Sequence, residues 1–164
     1  MKESILLTTD EILSRLAEGP PRIAAATSDL SSNQLTTSPD DGWSANEVLA
    51  HLRACGDVWG GHILAILNED RPTRQGVNPR TWIKKTNYLE LDFPESFSAF
   101  SAQRADLLKT LNSLPPEGWS RTALIRSYGT MTNEHTAHFF ADGLARHERP
   151  HLKQIEQVAA ALSR

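Results

Sequence analysis

The sequence predicts an all-α protein built as a four-helix bundle. Three observations carry that expectation. Apolar residues recur at steps of three and four along four long segments. Strand patterns are nearly absent: Val, Ile and Thr rarely alternate with polar residues, and no Asn-Gly or Asp-Gly turn joins two alternating runs. A short motif, P-x-x-G-W-S, stands at Pro39–Ser44 and again at Pro115–Ser120, each time after a predicted helix, which fits two helical hairpins.

The first helix is expected from about Thr9 to Leu30. Thr8 and Glu11 have the spacing of a capping box, in which each side chain satisfies a free backbone donor of the other. Ile12, Leu16, Ile23 and Leu30 form its apolar stripe, and Gly19-Pro20-Pro21 should kink or break it, because two prolines remove two backbone donors. Leu35 to Gly42 is rich in Ser, Thr, Asp and Pro and reads as a turn. Ser44 and Glu47 make a second capping box. The second helix should run from there to about Leu67, with Val48, Leu52, Cys55, Trp59, Ile63 and Ile66 on one face. Gly60-Gly61 inside it costs roughly 1 kcal/mol each relative to Ala and reads as a close-packing site.

Asn68 to Phe93 is a long connection, and its aromatic residues suggest that it packs over something. The third helix is expected from about Pro94 to Ser113, with Phe97, Phe100, Leu107, Leu111 and Leu114 inward, and Pro115 to Gly118 ends it. The fourth should begin near Thr132 and reach about Leu162. Its stripe is Phe140, Leu144, His147, His151, Ile155, Val158 and Leu162.

Composition narrows the function classes. A chain of 164 residues is long enough to bury a core without staples. Charged residues at 23% exclude a disordered acidic or basic tail, and a net charge of -3 gives no global basic field for nucleic acid. The longest apolar runs, such as Ile63 to Leu67, fall far short of the ~20 residues of a membrane helix. Met1 to Thr9 lacks the apolar stretch of a secretory signal. The single cysteine, Cys55, rules out an intrachain disulfide and a multi-cysteine zinc site, and it fits a reducing cytoplasm.

Six histidines carry the chemistry: His51 and His62 on the second helix, and His135, His138, His147 and His151 on the fourth. His147 and His151 are i and i+4, so they stand on one face about 5–6 Å apart and interrupt an apolar stripe. Buried imidazoles need partners, and one metal ion would serve both. His51, on the edge of the second helix's apolar face, can complete a three-nitrogen site with an open position, the arrangement of catalytic zinc. The plainer alternative for each is a core histidine satisfied by a carboxylate. Imidazole also suits nickel, iron and copper. Cys55 is either a buried structural thiol or a soft ligand. His62 lies about 16 Å from His51, too far to share a mononuclear site. His135 and His138 read as surface or loop-packing residues. Gln154 can orient a ligand imidazole. Glu47 either caps its helix or accepts the other N–H of His51. Pro150, between His147 and His151, should kink the helix. Arg104 either snorkels to solvent or reaches the cavity to hold an anion.

Two segments then look familiar. Gly42-Trp43-Ser44-Ala45-Asn46-Glu47-Val48-Leu49-Ala50-His51-Leu52 reads as W-S-x-x-E-V-L-x-H-L, and His147-Glu148-Arg149-Pro150-His151-Leu152-Lys153-Gln154-Ile155 as H-E-R-P-H-L-x-Q-I. Together they resemble the DinB/YfiT-like superfamily over nearly the whole chain. The resemblance implies one domain over residues 1–164, an up-down-down-up bundle with a long crossover between helices two and three, and often a homodimer. It also implies a divalent metal, zinc or nickel, on His51, His147 and His151.

Relatives implied by the resemblance include thiol transferases using bacillithiol, mycothiol or glutathione, a mycothiol-dependent maleylpyruvate isomerase, and metal-dependent hydrolases. The expected function is therefore a cytoplasmic metal-dependent transferase or hydrolase. It would activate a water or a low-molecular-weight thiol against a small-molecule substrate, with no membrane and no nucleic acid as partner. The alternative is a non-catalytic bundle, homodimeric, that binds a metal or a small ligand.

Overall fold

A computed structural model describes residues 5–127 and 131–164; the first four residues of the Met1–Thr9 stretch lie outside it. Four long helices dominate: α1 (Thr9–Thr27), α3 (Ala45–Asn68), α5 (Phe93–Asn112) and α7 (Ala137–Leu162). Short elements join them. The turns α2 (Ser32–Leu35), α4 (Pro79–Trp82) and α6 (Pro116–Trp119) lie between the long helices, and β1 (Thr73–Gln75), β2 (Thr122–Arg126) and β3 (Thr132–Thr136) make a small sheet.

Contacts along the helices give the topology. α1 and α7 run in the same sense: the Leu7 N–H donates to Asp142 at 2.7 Å near one end, and Arg22 pairs with Glu156 at 2.9 Å near the other. α3 and α5 also run together, since Asn46 donates to the Leu91 carbonyl, Arg53 to Ser96 and Gln103 to Asp57. α3 opposes α7, because His51 meets His147 while His62 stacks on Phe140. The bundle is therefore up-down-down-up. α1 and α3 each rest on both α5 and α7. α1 and α3 lie diagonally, as do α5 and α7, so the two hairpins suggested by the P-x-x-G-W-S repeat do not form. The repeat itself is not structurally equivalent: Pro39–Ser44 is irregular and ends on the Ser44 N-cap, whereas Pro115–Ser120 contains α6 and ends on a C-cap.

Local chemistry explains the boundaries. Both expected capping boxes are present, at Thr8–Glu11 and Ser44–Glu47, and a third, Ser31–Gln34, starts α2. α1 runs unbroken through Pro20 and Pro21, and α7 through Pro150. A proline ring is compatible with helical φ and costs a hydrogen bond. Leu16 and Ile23 flank the first pair, and Leu144, Leu152 and Ile155 flank Pro150, all fully or nearly fully buried. Their burial outweighs the lost bonds.

Two expectations are corrected. The fourth long helix starts at Ala137, because Thr132–Thr136 pairs antiparallel with β2, which in turn pairs parallel with β1. Gly60-Gly61 is not a close-packing site: a Cβ at Gly60 would meet nothing within 4 Å, and one at Gly61 only Arg74 at 3.8 Å. The pair instead lines a cavity of about 500 Å³ between α3 and α5. Within the long helices the close approaches are at Gly19, where a Cβ would strike the Glu148 carboxylate, and at Gly56, where it would strike the Gln103 amide.

Candidate metal centre

The reciprocal box at Ser44–Glu47 fixes the first turn of α3, with Glu47 accepting from the Ser44 N–H at 2.7 Å. His51 stands one turn further on. Glu47 is thus a cap, and among the described contacts it does not receive the His51 N–H. Across the bundle, α7 presents His147 and His151 on its inward stripe. The Nε2 atoms of His51 and His147 are 3.0 Å apart, and those of His147 and His151 are 3.2 Å apart. Ligand atoms from all three lie within 4.8 Å of one another.

This donor set fits a metal ion. Bonds of about 2.0–2.1 Å from zinc to nitrogen, opened at tetrahedral angles, separate ligand nitrogens by about 3.3 Å. Three imidazole nitrogens aimed at one point cannot all be satisfied by one another, since each ring nitrogen either donates or accepts. Burial pushes His51 down to about 4, helped by the neighbouring His151 and His147 and by Arg80. Burial, then His151 and Arg80, lower His147 in the same direction. Both rings are held neutral, the form that ligates. Gln154 Oε1 lies 2.9 Å from His151 Nδ1, so a proton on Nδ1 is donated to the amide and Nε2 keeps its lone pair for the shared point. The rings of Trp43 and Trp59 flank the cluster, at 5.3 Å from His51 and 5.0 Å from His147.

Cys55 lies beneath the triad, its Sγ 3.5 Å from His51 Nε2. Burial pushes its thiol up to about 12, with the Glu148 charge adding to the effect, so at neutral pH it is a thiol and not a thiolate. Arg104 does not snorkel. It is fully buried and pairs with Glu148, itself 2% exposed. Burial pushes the Glu148 carboxyl up to about 7 against the pull of Arg104. Glu148 follows His147 in sequence, so the pair helps to fix the rotation of α7 that turns His147 and His151 inward.

The long connection does pack over something, and sequence reasoning missed what holds it. Asp57 on α3 accepts from Trp82 Nε1 at 2.9 Å, Tyr88 Oη at 2.6 Å and Gln103 Nε2 at 2.7 Å. Arg53 covers the Tyr88 ring at 3.8 Å. The available signal was an acid at a position framed by apolar residues of the second helix.

The other histidines stay apart from the triad. His135 lies on β3 and stacks on Phe139, and His138 Nε2 contacts the Leu7 carbonyl at 2.7 Å. His62 is buried against Phe140, and its Nδ1 lacks a hydrogen-bond partner among the described residues. Burial, then Arg74 and His135, pushes His62 down to about 4, below the 6.5 of an ordinary histidine. Between those values the folded chain binds fewer protons than the unfolded one. This contribution to stability is therefore complete above about pH 6.5 and is lost as pH falls toward 4. The loss is on the order of 2 kcal/mol by pH 5. His62→Gln should show a smaller drop in urea midpoint between pH 7 and pH 5 than the wild type, both metal-free; an equal drop would contradict the assignment.

The sequence model of the DinB superfamily matches residues 15–155. The chain belongs to the DinB superfamily. Solved structures with this bundle include YfiT from Bacillus subtilis, described as a probable metal-dependent hydrolase with an unusual four-helix bundle topology. It matches with a TM-score of 0.77 at 17% identity, over 98% of this chain and 91% of that one. The mycothiol-dependent maleylpyruvate isomerase matches at 0.67 and 14% identity, over 91% of this chain and 61% of that one. TT2238, a four-helix bundle protein, matches at 0.61 and 19% identity, over 92% of this chain and 99% of that one. At these identities the likeness to each structure is one of fold. No curated protein sequence matches the chain. Among the described residues of this DinB-superfamily chain, no helix is long and apolar enough to cross a membrane.

Proposed function

We propose that the chain is one DinB-like domain over residues 1–164 and a cytoplasmic divalent-metal-dependent enzyme. His51, His147 and His151 are its three metal ligands, zinc or nickel its ion, and a small molecule its substrate. The observation that carries this reading is the convergence of three Nε2 atoms, two of the separations being 3.0 and 3.2 Å. A bound divalent ion supplies a lowered pKa for water or for a low-molecular-weight thiol, and so a nucleophile at neutral pH. The chain's own residues do the rest. His51 and His147 stay neutral, Gln154 holds the His151 ring in register, and Trp43 and Trp59 shield the cluster from bulk water. The thiol of a transferase reaction would come from the co-substrate, since Cys55 is buried and protonated. The neighbouring isomerase is described as mycothiol-dependent and YfiT as a probable hydrolase, which supports a thiol-dependent transferase or hydrolase. Homodimer formation is part of the proposal and is read by sedimentation.

One observation favours a second reading. Cys55 Sγ stands near enough to His51 Nε2 to close the site as a fourth ligand, which would suit a non-catalytic metal- or ligand-binding bundle. A screen separates the two. Zinc- and nickel-loaded protein is assayed for thiol transfer with bacillithiol, mycothiol and glutathione, and for ester and amide hydrolysis, beside His151→Ala and Cys55→Ala. The enzyme reading expects turnover by the wild type and by Cys55→Ala, at full metal content in both, and none by His151→Ala. Turnover lost in Cys55→Ala with metal still bound would show that the thiol takes part, contrary to its buried, protonated state. A thiolate absorption band on cobalt loading, absent from Cys55→Ala, would favour the closed site.

A further inference from the structure

Beside the triad lies a cavity of about 180 Å³ lined by Trp43, Glu47, His51, Arg80, Ile83 and Leu89. At ~30 Å³ for each water it would hold about six waters, the space of a molecule with a short carbon chain. Three walls, Trp43, Ile83 and Leu89, are apolar. Two charged residues line it, and they differ in state. Glu47 is engaged by the Ser44 N–H in the capping box. Arg80 forms no ion pair among the described residues, and its described hydrogen bond is the one its backbone N–H donates to Asn78.

Arg80 itself is exposed, but the segment that carries it is firmly placed. Asn78 caps α4 and Pro79 occupies its first turn. Trp82, two residues on, is anchored to Asp57. The guanidinium lies 5.4 Å from the centre of the Trp43 ring, whose face holds a cation by its quadrupole. It lines the same cavity as His51 of the triad. On the proposed function, a divalent ion would add positive charge to the same cavity. The single Glu47 carboxylate offsets only part of that positive charge in a small, largely apolar space, and an anionic ligand relieves the rest.

We infer that this cavity binds a small organic anion of about four to six carbons, with Arg80 as the anion's partner and the triad at the reactive end. The planar guanidinium matches the paired oxygens of a carboxylate or of a phosphate monoester. The reactive end rests on the proposed metal site; the Arg80 contact does not.

The test is calorimetric titration of succinate, n-butyl phosphate and neutral succinamide into wild type, Arg80→Gln and Arg80→Lys, each metal-free and zinc-loaded. The expected result is binding of at least one anion to the wild type, weakened tenfold or more in Arg80→Gln and partly restored in Arg80→Lys, with succinamide binding far more weakly than succinate. The tighter of the two anions identifies the headgroup. Equal affinity in wild type and Arg80→Gln would overturn the inference, as would equal binding of succinate and succinamide, or no anion binding to the wild type. Failure of the chain to hold zinc would strike the proposed metal site alone, because the metal-free titrations still decide the Arg80 contact.

Discussion

Arg104→Leu should destabilise the fold by about 3–5 kcal/mol, the usual cost of breaking a fully buried ion pair. Neither partner reaches water: Arg104 is 0% and Glu148 2% exposed. The two single losses should be unequal. Without Arg104, the Glu148 carboxyl, already pushed up to about 7, takes a proton and so limits the damage. Without Glu148, the guanidinium cannot lose its charge, and its Nε and Nη1 already lack partners among the described residues. Glu148→Leu should therefore cost more than Arg104→Leu. The double variant Arg104→Leu/Glu148→Leu should recover much of the loss, since an apolar pair leaves no buried charge. Urea unfolding of metal-free protein at pH 7 measures all three. At ~2–4 °C per kcal/mol for a chain of this size, Arg104→Leu should melt on the order of 10 °C lower. Additive single losses would mean that the pair is not coupled.

The second large effect is on metal binding. On the proposed function His147 would be the central ligand, its Nε2 being 3.0 Å from that of His51 and 3.2 Å from that of His151, so His147→Ala leaves two nitrogens with nothing between them. Zinc at a hundred times its Kd should stabilise the wild type by about 2.7 kcal/mol, a rise in Tm of roughly 5–10 °C. His147→Ala should show no such rise. Gln154→Ala should keep the stoichiometry but bind zinc roughly tenfold more weakly or worse, because the His151 ring loses the partner that sets its tautomer. Unchanged affinity in Gln154→Ala would show that packing alone orients the ring.

Much of this was legible in the sequence because the signals are local. The capping boxes at Thr8 and Ser44 and the apolar stripes placed the starts of α1 and α3 and the inward faces. The i, i+4 spacing of His147 and His151 within such a stripe put both rings toward the core. What was not legible depends on tertiary context. Thr132–Thr136 is polar and mostly exposed, so it carries no alternation, and it is a strand because β2 lies beside it. Gly19-Pro20-Pro21 read as a kink or break and Pro150 as a kink, and flanking core contacts carry both helices through them without a break. Gly60-Gly61 read as a close contact, whereas the close contacts within the long helices are Gly19 and Gly56, whose neighbours Glu148 and Gln103 lie on other helices. Arg104 is the same lesson. Its side chain is long enough to reach solvent, and only the fold shows that a carboxylate waits inside.

The central claim is that three histidines from two helices bind one metal ion. Elemental mass spectrometry of tag-free protein, with His51→Ala and His151→Ala beside it, tests this most directly. The expected result is about one equivalent of zinc or nickel in the wild type and its loss from both variants. No metal in the wild type after dialysis against zinc and nickel, or metal retained in both variants, would contradict it and leave three histidines packed together in the bundle.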